Sequence, residues 1–313
     1  MPHRHETASP GDATKHTPRK GAGGCASCSR ADCDATTRRE GESDEDFAQR
    51  QRLRARLCRI RRTLIVLSGK GGVGKSTVAV NLAMALCAAG QRVGLLDVDI
   101  HGPSVPTMLG LAGGHTAANE EGIIPAVVAG LKVVSLGLIL PDADEAVIWR
   151  GPMKANVITQ LLRDVDWGDL DYLVVDCPPG TGDEPLSVCQ VIGKLDGAVI
   201  VTTPQKVAAV DVRKSVTFCR HIGVPVLGVV ENMSGFACPT CGEVTPIFRT
   251  GGGLDIARSM DVPFLGSIPI DPLVAQSGDD GAAFVLRHPD SAAAQVMRGI
   301  AEPLLADATA DAN

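Results

Sequence analysis

One nine-residue stretch constrains this chain more than any other: GKGGVGKST at residues 69–77. An apolar, β-branched run at 63–67 precedes it, and an apolar helical pattern at 75–89 follows. Gly69, Gly71, Gly72 and Gly74 let backbone N–H groups turn inward around phosphate, and the following helix N-terminus adds its partial positive charge. Strand, glycine loop and helix together predict a P-loop. In that geometry Lys75 reaches the β- and γ-phosphates, Ser76 ligates Mg²⁺ and Thr77 bonds the α-phosphate of ATP. Gly69, Lys70, Gly71, Gly72, Val73, Gly74, Lys75, Ser76 and Thr77 are thus the candidate nucleotide contacts.

The rest of the chain agrees with that start. Apolar runs at 64–67, 93–96, 173–175, 198–201, 226–230 and 264–268 read as buried parallel strands. Helical stretches at 75–89, 184–192 and 207–222 separate them, 121–140 reads as a hairpin-like insertion, and 289–308 as a closing helix. This alternation predicts an α/β fold with a doubly wound, mostly parallel sheet. Three regions are expected: a Cys-containing tail at 1–45, too polar to fold alone; a basic lead-in helix at 46–62; and the P-loop ATPase domain at 63–308.

Two acidic strand ends complete the phosphate site. LLDVD at 95–99 puts Asp97 and Asp99 at the carboxyl edge of the sheet, where ligands of such folds sit. LVVDCPPG at 173–180 ends a strand on Asp176, a second carboxylate for the Mg²⁺ shell beside Ser76 and Asp97. Pro178, Pro179, Gly180 and Gly182 suit a loop that rearranges when the γ-phosphate leaves.

Charge narrows the partners. Residues 1–62 hold 14 Lys/Arg against 9 Asp/Glu, whereas the remainder holds 16 against 27. An acidic body with nine aromatics lacks both the cations and the stacking surface that a nucleic-acid clamp needs. The seven arginines of 46–62 read as a solvated helix face packed by Leu53, Leu57 and Ile60. No apolar run approaches the roughly 20 residues of a membrane helix, and no signal-peptide core is present, so a cytoplasmic protein without membrane contact is expected.

Ten cysteines fall into two kinds. Cys58, Cys87, Cys177, Cys189 and Cys219 stand singly in apolar segments and read as small buried hydrophobes. Cys238 and Cys241 form a CxxC in a Gly/Pro loop just after a strand. They supply half of a Cys₄ set, which a two-fold dimer would complete. A [4Fe–4S] cluster and zinc both use that spacing, and a redox pair is a third reading, although the loop opens no helix as a redox motif would. Cys25, Cys28 and Cys33 lie within nine residues of the tail and suggest a second site that orders only when loaded, its fourth ligand being Cys58, a partner chain or a non-cysteine group.

Lys70 adds a second lysine to the loop and makes it resemble the deviant Walker A of the group that includes MinD, ParA, the nitrogenase iron protein and the arsenite pump ATPase. DVDIHGPS at 97–104, WRGPM at 149–153 and ENMSGFACPTC at 231–241 narrow this. Over about 60–305 the chain closely resembles the Mrp/ApbC family of iron–sulfur cluster carriers, related to Nbp-type scaffolds. The resemblance implies a homodimer in which Lys70 contacts the partner's nucleotide, Asp99 orients the attacking water and Asn232 contacts adenine. It implies an ATPase that assembles a [4Fe–4S] cluster on Cys238 and Cys241 and passes it from cluster donors to apo iron–sulfur proteins. A MinD- or ParA-like positioning ATPase and a nitrogenase-type reductase are the alternatives. The acidic, alanine-rich segment at 301–313 does not suit the membrane helix of the former.

Overall fold

The computed structural model describes residues 35, 37–99, 102–114, 117–119, 122–138, 151–237, 243–247 and 250–310. It divides into two compact units, Met1–Gln51 and Arg52–Asn313. Within the first, the guanidinium of Arg50 donates to Glu42 Oε1 and Oε2, each at 2.8 Å, and to the Thr37 carbonyl at 2.8 Å. Arg50 thus ties Thr37 and Glu42 to the helix that carries it, and Arg38 and the Arg39 amide add bonds to Glu42, although the composition of this stretch alone predicts disorder.

Helix α1 (Asp44–Leu57) ends before strand β1 (Ile60–Leu67). The lead-in helix expected over 46–62 is thus shorter at its C-terminal end. Residues 60–62 pair with β7 (Leu170–Asp176) instead, since Ile60 is buried between the sheet and its covering helices. Three arginines of this segment are engaged by the body: Arg54 donates to the Ile192 carbonyl at 3.1 Å, Arg56 pairs with Asp166 at 2.8 Å and Arg59 with Asp169 at 2.9 Å.

The chain then runs α2 (Lys75–Ala88), β2 (Val93–Asp97), α3 (Val105–Met108), a small hairpin of β3 (Ala118–Asn119) and β4 (Gly122–Ile123), β5 (Ala126–Val128), β6 (Leu131–Ser135) and α4 (Gly151–Asp164) before β7. Next come α5 (Asp183–Ile192), β8 (Gly197–Thr202), α6 (Lys206–His221), β9 (Val226–Glu231), a second hairpin of β10 (Phe236–Ala237) and β11 (Val244–Thr245), and α7 (Gly252–Ser259). Strand β12 (Phe264–Ser267), α8 (Pro272–Asp279), α9 (Phe284–Arg287) and α10 (Ala292–Ala310) complete the order.

Eight strands form one sheet in the order β12-β9-β8-β1-β7-β2-β6-β5, parallel except for the edge strand β5. The segment 121–140 is a hairpin only in part: β6 joins the main sheet parallel to β2. Side chains alternate between two cores, as buried parallel strands require. Leu64, Val66, Tyr172, Val174, Val199 and Val201 pack with α2 and α10, while Ile65, Leu67, Leu173, Val175, Ala198 and Ile200 pack with α4, α5 and α6. Each such side chain stabilises the fold by about 1.5–3 kcal/mol relative to exposure, as an upper bound. No helix of the described residues is long and apolar enough to cross a membrane.

Candidate nucleotide-binding site

The strands β1, β7 and β2 are neighbours, so their carboxyl ends bring the P-loop, Asp176 and Asp97 together. The register places Asp97 directly beside Asp176. Between β1 and α2 the loop turns through Gly72 (φ 75°) and Gly74 (φ 79°). A Cβ at Gly74 would stand 2.2 Å from Asn232 Nδ2, so glycine is required there for both angle and space. No side chain caps α2, which leaves its N-terminus free to face an anion.

Lys75 is almost fully buried, and its ammonium donates to Asp176 Oδ1 at 2.5 Å and to Ser76 Oγ at 3.4 Å. Asp99 Oδ2 stands 3.8 Å from the same nitrogen. Asp176 is fully buried, and its Oδ2 has no hydrogen-bond partner. Burial raises the Asp176 carboxyl above the ordinary carboxylate range, against the pull of Lys75. Asp97, also fully buried, accepts from the Asp99 amide at 3.0 Å and from Ser135 Oγ at 2.9 Å. Burial, and then the charge of Asp176, push its carboxyl up to about 7. Two crowded, desolvated carboxylates and one ammonium leave a deficit of positive charge.

This deficit has a pH signature. Below its ordinary value of 3.8, Asp97 is protonated in both folded and unfolded chains. As pH rises from there, the unfolded chain releases that proton while the folded chain retains it up to about 7, so stability falls across that window. Relative to Asp97→Asn, the nucleotide-free wild type should therefore lose stability between pH 4 and 7. Denaturant midpoints at several pH values measure this; parallel profiles for the two proteins would refute it.

Above these residues lies a cleft of about 160 Å³ whose walls include Gly71, Lys75, Thr77, Asp99, Ser104 and Pro179. A second cavity of about 390 Å³ shares Gly74, Thr77, Ser104 and Met108 with it and continues along Asn232, Ile270 and Asp271. Asn232 Nδ2 donates to the Val73 carbonyl at 2.9 Å, which fixes the side chain between loop and cavity. The Gly180 amide donates to the Ser68 carbonyl at 2.7 Å, so the loop after β7 touches the loop after β1. Lys70 is half-buried, and its carbonyl accepts from Ser68 Oγ at 3.0 Å.

The structure therefore brings Lys75, Ser76, Thr77 and Asp99 to the walls of one cleft, with Asp97 and Asp176 buried beneath it and Asn232 on the adjoining cavity. It adds Ser104, the last residue of the DVDIHGPS segment, and Met108, Ile270 and Asp271, which no motif marks; only the position of 269–271 just after β12, at the same sheet edge, points to the last two. Cys238 and Cys241, and the tail cysteines Cys25, Cys28 and Cys33, lie outside the described residues. The strands that flank the first pair are described: Ala237 of β10 pairs with Val244 of β11. Cys58 is half-buried, while burial raises the thiols of Cys177, Cys189 (to about 11) and Cys219 (to about 12), which keeps all three as unreactive apolar groups.

Residues 59–305 match the family model described as ParA: NUBPL iron-transfer P-loop NTPase. Among curated proteins, the chain is 51% identical over 257 residues to the cytosolic Fe-S cluster assembly factor NUBP2 homolog of Culex quinquefasciatus, covering 80% of this chain and all of that protein. It is 49% identical over 239 residues to the iron-sulfur cluster carrier protein of Methanocaldococcus jannaschii, covering 76% and 82%. Among solved structures, a nucleotide-binding protein from Archaeoglobus fulgidus in complex with ADP superposes with a TM-score of 0.67 at 41% identity, covering 75% of this chain and 92% of that one. The septum site-determining protein MinD of Pyrococcus horikoshii, complexed with Mg-ADP, gives 0.58 at 25% identity, covering 78% and 95%.

Proposed function

Because the chain belongs to the NUBPL iron-transfer P-loop NTPase family, we propose that it is an ATP-hydrolysing carrier that assembles a [4Fe–4S] cluster and delivers it to apo-proteins. The observation that carries the reading is the CxxC of Cys238 and Cys241 between β10 and β11, inside the region that matches the family. Relatives at about half identity are named cluster assembly factors and carriers, which favours this role over spatial positioning. Several of them are named cytosolic, which supports a cytoplasmic protein.

The cleft fits magnesium-bound ATP. The orphaned, buried Asp176 Oδ2 and the raised Asp97 carboxyl call for a cation, and the uncapped α2 for an anion. Ser76, Asp97 and Asp176 would hold Mg²⁺, which when bound neutralises charge on the phosphate oxygens. Lys75 exchanges its carboxylate partner for phosphate, and Thr77 and the loop amides orient the chain of phosphates. The cavity beside Asn232 accommodates the nucleoside. Asp99 orients the attacking water, whose oxygen bonds to the γ-phosphorus as the bond to the ADP oxygen breaks, releasing ADP and inorganic phosphate.

Two chains related by a two-fold axis would contribute two thiolates each to one cluster, with Lys70 reaching across to the partner's nucleotide. Cys25, Cys28 and Cys33 would form a separate tail site. Asp99→Ala should keep nucleotide affinity while lowering the hydrolysis rate by about 100-fold or more, the usual contribution of a group that activates the nucleophile. Phosphate release at saturating ATP measures this; turnover at the wild-type rate would remove Asp99 from the mechanism.

A further inference from the structure

Glu231 ends β9 with a fully buried carboxylate that takes no part in the nucleotide cleft. Its Oε1 accepts from Ser234 Oγ at 2.6 Å and from the Gly251 amide at 3.2 Å, and its Oε2 accepts from the Gly253 amide at 2.6 Å. Ser234 stands where the chain leaves the sheet toward β10. Gly251 and Gly253 stand where it returns, at the start of α7. One side chain thus ties both ends of the segment that bears Cys238 and Cys241.

The backbone braces the outgoing stem as well: Ser234 N donates to the Ile268 carbonyl at 2.8 Å and Ile270 N to the Gly235 carbonyl at 2.7 Å. The returning stem has been brought as near as glycine permits, since a Cβ at Gly253 would stand 3.2 Å from Glu231 Oε2. Charge-assisted bonds from a helix N-terminus are what a buried carboxylate needs, and closing such a gap for stability alone takes only packed apolar groups. The next residue points the other way. Asn232 donates to Val73 in the P-loop at 2.9 Å and fills the space over Gly74. Adjacent residues on one strand end therefore grip the thiol segment and the phosphate loop.

We propose that Glu231 is the positioning residue of the thiol hairpin, holding its two stems together and coupling them through Asn232 to the state of the P-loop. This rests on reading Cys238 and Cys241 as the cluster ligands. Glutamine at 231 has one acceptor oxygen, and its NH₂ group would face either the Gly251 or the Gly253 amide, so the returning stem loses a bond in either orientation, whereas the Ser234 hydroxyl can turn to accept.

The test uses the full chain without iron, with isotope-coded iodoacetamide and peptide-level hydrogen exchange, in the presence and absence of Mg-ADP. In the wild type, Mg-ADP should slow alkylation of Cys238 and Cys241 by about threefold or more, because it fixes Asn232 and the stems with it. Glu231→Gln should be alkylated about tenfold faster without nucleotide and lose the Mg-ADP effect, with faster exchange at Ser234, Gly251 and Gly253 and unchanged exchange in β1 and β7. Ser234→Ala, which removes one donor and leaves the carboxylate, should fall between the two. Wild-type alkylation rates in either variant, or a loss of protection spread equally over β1 and β7, would overturn the proposal. Alkylation needs no metal, so these shifts in a protein that binds no iron would sink the carrier reading and leave the coupling standing.

Discussion

Lys75→Ala should lower nucleotide affinity by about 100-fold or more, the scale expected when one partner of a buried, hydrogen-bonded charge pair is truncated. The same substitution removes the cation that faces Asp176 at 2.5 Å and Asp99 at 3.8 Å. Because Asp176 is fully buried and one of its oxygens already lacks a partner, the variant should also bind Mg²⁺ and nucleotide with a steeper pH dependence, its carboxylates taking up protons in place of the ammonium. Titration with a fluorescent ADP analogue measures the affinity, and circular dichroism verifies the fold. A variant that binds within a fewfold of the wild type would mean that phosphate is held by the loop amides alone.

Replacing both Cys238 and Cys241 by serine should abolish iron binding at the shared site, a loss of about four irons per dimer, because hydroxyls do not replace thiolates as ligands to such a cluster. Nucleotide affinity should remain, since the thiols lie beyond β10 whereas the P-loop joins β1 to α2. Iron that persists in the double variant would have to be held by Cys25, Cys28 and Cys33, so the same sample reports on the tail. Equal iron content in variant and wild type would exclude Cys238 and Cys241 as ligands.

Local chemistry in this chain was legible before its long-range pairing. The P-loop glycines, Lys75, Asp97 and Asp176 announce themselves because phosphate binding demands particular residues at fixed spacing after a strand. The core strands do so because burial on two faces forces continuous apolar runs. Strand β6 reads in the sequence only as part of an insertion, since the turn at Ala129 and Gly130 dominates its surroundings and its pairing with β2 is set 38 residues away. Helix α4 is hidden in the sequence because it opens on Gly151 and Pro152, a pair that reads as a turn. The cavity walls at Met108, Ile270 and Phe284 come from three distant segments. Glu231 opens the ENMSGFACPTC segment, but its role is not legible there: a single acid at a strand end looks like any turn residue until the amides of Gly251 and Gly253 are seen to converge on it.

Transfer itself is the most direct test of the proposed role. The full chain, reconstituted anaerobically with iron and sulfide, is mixed with an apo-enzyme that requires a [4Fe–4S] cluster, in the presence of an iron chelator. Activation of the acceptor in proportion to the cluster supplied, lost with the Cys238→Ser/Cys241→Ser protein and changed in rate by Mg-ATP, is the predicted result. A protein that retains stoichiometric zinc, takes up no iron and sulfide, and activates no acceptor would contradict it.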